Sequence, residues 1–125
     1  MSEQSNKKFT DLNVWQKANE LKCKVFELVK KFPAEEKFNL SAQLLKAVRS
    51  IGENIAEGHG RFTYKDQIHF CIQARGSLNE VHNHLIDAVD CKYITTIEQE
   101  EYINLINETE RLLNGYITFL RKQIK

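Results

Sequence analysis

Four histidines, three cysteines and two well-placed serines are the residues of this 125-residue chain whose types invite catalysis or metal binding. Glu80, His84 and Asp87 fall four and three apart, so a helix would put two carboxylates and an imidazole on one face, a donor set that suits a divalent cation. A di-metal centre in a helical bundle needs matching Glu-x-x-His pairs from other helices, and the sequence offers none, so neither metal nor cofactor is expected. His82 and His84 are two apart, point to opposite sides of a helix and cannot chelate one ion. Cys23, Cys71 and Cys91 are odd in number and widely spaced, which fits neither a disulfide framework nor a CxxC site. Ser50 and Ser77 lie in helical patterns with no strand-turn-helix elbow, base or orienting acid beside them, so no catalysis is expected. The run Glu57-Gly58-His59-Gly60-Arg61 could offer amides and a guanidinium to phosphate, but it matches no phosphate-binding fingerprint, and its glycines suit a helix end. Near it stand Lys46, Arg49, Arg61 and Lys65, a modest basic cluster whose chemistry is nucleic-acid phosphate contact if several copies come together.

The elements that would hold these residues are helices. Leu12, Trp15, Ala18, Leu21, Val25, Leu28, Val29 and Phe32 recur at steps of three and four, with Thr10 or Asp11 as N-cap, and predict a first helix that Pro33 ends. Its opposite face alternates Lys17, Glu20, Lys24, Glu27 and Lys31, a self-neutralising solvated line. Leu40, Leu44, Val48, Ile51 and Ile55 predict a second helix over 40–57, with Gly58 as the left-handed residue after it. Gly52 inside that helix costs about 1 kcal/mol against alanine, which points to close packing or a bend. Thr63 with Asp66 opens a third helix over 64–90 whose main face holds Phe70, Ala74, Leu78, Val81, Leu85, Ala88 and Val89. Thr95 with Glu98 opens a fourth, lined by Tyr102, Leu105, Ile106, Leu112, Leu113, Tyr116, Ile117 and Leu120. Short connections make the neighbours antiparallel, so the expected fold is all-α, an up-down four-helix bundle with crossing angles near ~20°.

Two features exceed what one bundle needs. Gln43, Ala47, Ser50, Asn54 and Glu57 form a polar seam at coiled-coil spacing beside the apolar stripe of the second helix. On the third helix, Ile68, Ile72 and Ile86 make a second hydrophobic line turned away from the main face. Together they predict a homo-oligomer interface through Gln43, Ser50, Asn54, Glu57, Ile68, Ile72 and Ile86.

Composition sets the frame. Hydrophobic residues make up 42% and charged ones 28%, with one proline and five glycines, a globular balance poor in turn formers. Residues 1–8 read as a polar, flexible tail and 9–125 as one domain, with no apolar run long enough for a signal or a membrane span, so a cytoplasmic protein with no membrane partner is expected. A net charge of +1 argues against a chain that coats nucleic acid as a whole, so any basic site must be local.

The order of motifs is itself informative. Leu12-Asn13-Val14-Trp15-Gln16-Lys17-Ala18, then Lys31-Phe32-Pro33 with Glu35-Glu36, then Gln43-Leu44, and above all Ser50-Ile51-Gly52-Glu53-Asn54-Ile55-Ala56-Glu57-Gly58-His59-Gly60-Arg61, closely resemble the four-helix bundle proteins encoded within intervening sequences of 23S ribosomal RNA genes. Phe70 to Ala74 and Gly76-Ser77 through Glu80 continue the likeness, which spans Phe9 to Leu120. This resemblance implies a ring-like homopentamer that serves as a scaffold or adaptor. Its wider relatives include the accessory variability proteins of diversity-generating retroelements, basic barrels that bind nucleic acid and a reverse transcriptase. The partners it implies are therefore further copies of this chain, RNA or DNA held by phosphate contacts, and a reverse transcriptase or another RNA-handling protein.

Overall fold

A computed structural model describes residues 8–125, so the tail expected over 1–8 lies, apart from Lys8, outside the described residues. Four helices fill that span: α1 (Asn13–Val29), α2 (Leu40–His59), α3 (Tyr64–Asp90) and α4 (Thr96–Gln123), with no strand among the described residues. Packing follows a closed cycle, α1 on α2, α2 on α3, α3 on α4 and α4 on α1. Contacts fix the directions. Gly58 faces Gln67 and Phe70, and Ser50 meets Ser77. Residue numbers rise on one helix as they fall on the other, so α2 and α3 run antiparallel. Arg75 on Asn114, 15 residues before the end of α3 and 18 after the start of α4, together with the short connection 91–95, makes α3 and α4 antiparallel as well. The core enclosed by the four stripes includes Leu21, Leu28, Leu44, Ile51, Leu78, Leu85, Leu113 and Leu120, all essentially without solvent contact. Each such side chain contributes roughly 1.5–3 kcal/mol by leaving water.

The ends differ from expectation in instructive ways. Neither Thr10 nor Asp11 caps α1: Asp11 closes a separate 3-10 turn, Phe9–Asp11, by accepting from the Lys8 amide (3.1 Å), and Leu12 precedes α1 without a side-chain cap. α1 stops at Val29, because Phe32 must leave helical geometry ahead of Pro33, and Phe32 then buries its ring against Tyr93 (5.6 Å between centroids). On the charged side of α1, Lys24 and Lys31 reach across to Glu101 (2.7 Å) and Glu98 (3.4 Å) of α4, so that line is neutralised partly between helices. Gly58 is no left-handed cap: α2 continues to His59 and closes at Gly60 with an ordinary helical φ of −82°. A Cβ on Gly58 would lie 2.9 Å from Phe70 Cβ and 3.1 Å from the Gln67 carbonyl, so this glycine lets α2 and α3 touch. Gly52 admits Trp15, whose Nε1 would be 3.3 Å from an added Cβ, which is the close packing its position called for. The left-handed residue is instead Lys92 (φ 64°) after α3, where the Lys92 and Tyr93 amides donate back to Val89 and Ala88 (2.9 Å each) in a Schellman turn.

Of the two capping pairs, Thr95 with Glu98 forms a complete box and Thr63 with Asp66 only its first half. Thr95 and Glu98 satisfy each other's amides at 3.0 Å, and Thr63 accepts from Asp66 at 3.1 Å. At the same end as Thr95, the Tyr93 hydroxyl donates to Glu36 Oε2 (2.6 Å) while Glu36 Oε1 accepts from the Leu40 amide (3.2 Å). The hydrogen bond from Tyr93 and then that amide hold the Glu36 carboxyl below its ordinary range. The same bond, with burial second, pushes Tyr93 up to about 12. A raised phenol favours the folded state below the free tyrosine value near 10 and loses that advantage as pH climbs through about 12. The depressed carboxyl is lost in the opposite direction, as acid protonates Glu36. Tyr93→Phe is therefore expected to lower the melting temperature at neutral pH and to flatten the fall in stability between about pH 10 and 12, read by thermal circular dichroism across pH.

Candidate nucleic-acid interface

The basic residues singled out by sequence do not form one cluster within the chain. Lys46 and Arg49 sit exposed in the middle of α2, whereas Arg61 and Lys65 flank the α2–α3 turn. Twelve helical steps from Arg49 to Arg61 correspond to about 18 Å at 1.5 Å per residue. Their engagement differs as well. Arg61 is spoken for: it pairs with Glu57 (3.1 Å) and Asp66 (3.8 Å) and lies 4.7 Å over the Phe70 ring. Lys46 and Lys65 have no ion pair among the described residues, and Arg49 has none either but stacks 4.9 Å over Phe26. Of these four, Lys46, Arg49 and Lys65 are thus exposed without a carboxylate partner among the described residues.

The polar seam of α2 is shared between this chain's own packing and solvent. Ala47 is buried, Ser50 accepts from the Ser77 hydroxyl of α3 (3.0 Å), and Asn54 donates to the Ser50 hydroxyl and carbonyl (3.0 and 2.9 Å). The partner helix that this part of the seam asks for is α3 of the same chain. Gln43 and Glu57 stay exposed. Gln43 and Lys46 line a groove of about 300 Å³ with Ser50, Glu80 and His84, and His84 Nδ1 is buried there without a hydrogen bond. Lys46 beside Glu80 and His84 makes this groove hostile to a cation, and among the described residues no three His, Cys, Asp or Glu side chains converge on one point.

Ile68 needs correcting. It is only 9% exposed and belongs to the core, on a line with Cys71, Ala74, Leu78, Val81, Leu85 and Ala88. Ile72 and Ile86 remain outside at 42% exposure each. Between them lie Gly76, Asn79 and Asn83, all exposed, so Ile72, Gly76, Asn79, Asn83 and Ile86 fall at alternating steps of four and three along one unpartnered face of α3. Around Gly76 that face is open, with nothing within 4 Å of an added Cβ.

A second groove escaped the sequence reading. α1 and α2 frame about 540 Å³ lined by Phe9, Trp15, Asn19, Lys22, Phe26, Arg49 and Glu53. Phe9 and Phe26 stand off the core stripe of α1, and that displaced pair of aromatics was the signal available in the sequence. The cysteines sit apart: Cys71 is buried, which pushes its thiol up to about 12, while Cys23 and Cys91 are exposed. A disulfide reagent at neutral pH is therefore expected to modify two thiols of the native chain quickly and the third only with unfolding.

Comparison with known proteins places these features in a lineage. Residues 10–115 match the family model described as 23S rRNA-intervening sequence protein. Among solved structures, a protein of unknown function from the S23 ribosomal protein family of Bacteroides thetaiotaomicron VPI-5482 is similar at 30% identity and a TM-score of 0.76, covering 83% of this chain and 97% of its own. No curated protein matches this chain. Among the described residues no helix is long and apolar enough to cross a membrane.

Proposed function

We propose, starting from a chain that belongs to the 23S rRNA-intervening sequence protein family, that it works without catalysis as a homo-oligomeric scaffold, five copies in a ring, that holds nucleic acid through backbone phosphates. The observation that carries this reading is the unpartnered face of α3. Two large isoleucines at 42% exposure, spaced by a glycine and two asparagines at coiled-coil intervals, give a helix of another copy apolar contacts at both ends and polar register marks between them. Closed rings of identical subunits multiply every surface charge, so the unpaired Lys46, Arg49 and Lys65 become a repeated basic band although the chain carries a net charge of only +1.

Sedimentation tests the assembly. The wild-type chain is expected at five times its own mass, and Ile72→Asp with Ile86→Asp at one times, with an unchanged helical circular dichroism spectrum. A wild-type chain that stays monomeric at high micromolar concentration, or a double variant that still assembles, overturns the ring. Phosphate contact is tested by salt: Lys46→Ala and Lys65→Ala are each expected to flatten the slope of log affinity against log salt by about 0.7–0.9.

A further inference from the structure

The α1–α2 groove leaves aromatic surface and unneutralised positive charge open side by side. Phe9 is 37% exposed although its ring meets Trp15 edge-on at 5.4 Å, and Trp15 and Phe26 are half-buried. Lys22 and Arg49 border the same space, and neither has a carboxylate partner among the described residues, whereas Lys17, Lys24, Lys30, Lys31, Arg61 and Arg111 all do. Aromatic rings beside cations that no carboxylate neutralises match a nucleotide, whose base stacks and whose phosphate is anionic. The volume of about 540 Å³ lies within the range of sites that enclose small ligands. Glu53 also lines the groove and would repel a phosphate placed beside it. It stands one helical turn from Arg49 towards Trp15, so the groove has a cationic end at Lys22, Phe26 and Arg49 and a second end at Trp15 and Glu53. There Glu53 accepts from exocyclic amines or sugar hydroxyls, with the Asn19 amide beside it to donate or accept.

We propose that this groove holds one unpaired nucleotide of a single nucleic-acid strand, its base against the Phe9 and Trp15 rings and its phosphate on Lys22 and on Arg49 where it lies over Phe26. The inference rests on the nucleic-acid part of the function proposed above and adds a stacking site to its phosphate contacts. A duplex cannot use it, since its bases are already stacked and paired.

Trp15 is the chain's one tryptophan, so its emission reports directly on the groove. The experiment titrates the full chain with a dye-labelled 12-nucleotide oligoadenylate, following dye anisotropy and tryptophan emission together, and repeats it with the deoxy strand and with a 12-base-pair RNA duplex. The expected result is quenching that saturates along the same curve as anisotropy for single strands, with weaker binding and no quenching for the duplex. Phe9→Leu, which keeps the apolar volume but removes the exposed ring, is expected to weaken single-strand binding about 10-fold. Lys22→Gln with Arg49→Gln is expected to flatten the salt slope by about 1.4, and both variants should keep the wild-type melting temperature within a few degrees. Anisotropy without any change in Trp15 emission overturns the groove while leaving nucleic-acid binding in place. No anisotropy change at ~50 mM salt overturns both, and a duplex that binds and quenches as well as the strand overturns the stacking.

Discussion

Leu78→Ala is expected to destabilise the bundle by about 2–5 kcal/mol and to lower its melting temperature by roughly 6–25 °C. Leu78 has no solvent-exposed surface and lies at the middle of α3, the helix that packs against both α2 and α4. Truncation there removes the transfer free energy of the side chain and leaves a cavity whose walls are held apart by packing on two sides. Leu45, only half-buried on α2, is expected to cost well under half as much, because water fills the space its truncation opens. Urea unfolding followed by circular dichroism reads both. A loss below 1 kcal/mol for Leu78→Ala would mean that this register of α3 in the core is wrong.

Gly58→Val is expected to cost about 3 kcal/mol. An added Cβ falls 2.9 Å from Phe70 Cβ and 3.1 Å from the Gln67 carbonyl, and neither is the free end of a flexible side chain. Relief demands that α2 and α3 move apart where they lie closest. Gly115→Ala supplies the contrast: nothing lies within 4 Å of its added Cβ, so the substitution gains helix propensity, about 1 kcal/mol, without a clash. If both substitutions shift the urea midpoint in the same direction, the close approach at Gly58 is not what constrains that site.

Helix periodicity and the Thr63 and Thr95 caps were legible because they are local, whereas Asp11 closes its own 3-10 turn and leaves α1 without the expected cap. α3 begins after Thr63 and runs to Asp90 as its cap and apolar period indicate, and Thr95 with Glu98 opens α4. What failed was information held by another helix. Gly58 looks the same in sequence whether it ends α2 or lets α3 approach, and only Phe70 across the interface decides. A stripe begun at Phe70 turns Ile68 outward. The buried line runs through Cys71, and Phe70 is half-buried over the α2–α3 contact. For the candidate site, the identities of the cations were readable, and so was the neutralising Glu57 four residues before Arg61. Arg49 leans over Phe26, a residue of α1 that no spacing rule links to α2. The α1–α2 groove was illegible for the same reason, since its aromatics and cations come from two helices.

The cyclic order of helix contacts also governs how the chain finds its fold. Every interface joins helices consecutive in sequence except that of α1 with α4. Contacts within the α2–α3 hairpin, such as Ser77 on Ser50, close 27 residues, whereas Lys24 on Glu101 closes 77. Loop-closure entropy, growing as (3/2)RT ln n, makes the longer closure costlier by about 1 kcal/mol before any contact offsets it. Low contact order therefore sets a folding time of milliseconds or less, with α2, α3 and α4 assembling as successive hairpins and α1 docking across the chain ends. Subglobal opening should run in reverse, so that native-state hydrogen exchange releases the amides of α1 before those at the centre of α3. Uniform protection across the four helices would show instead that the cycle closes in a single step.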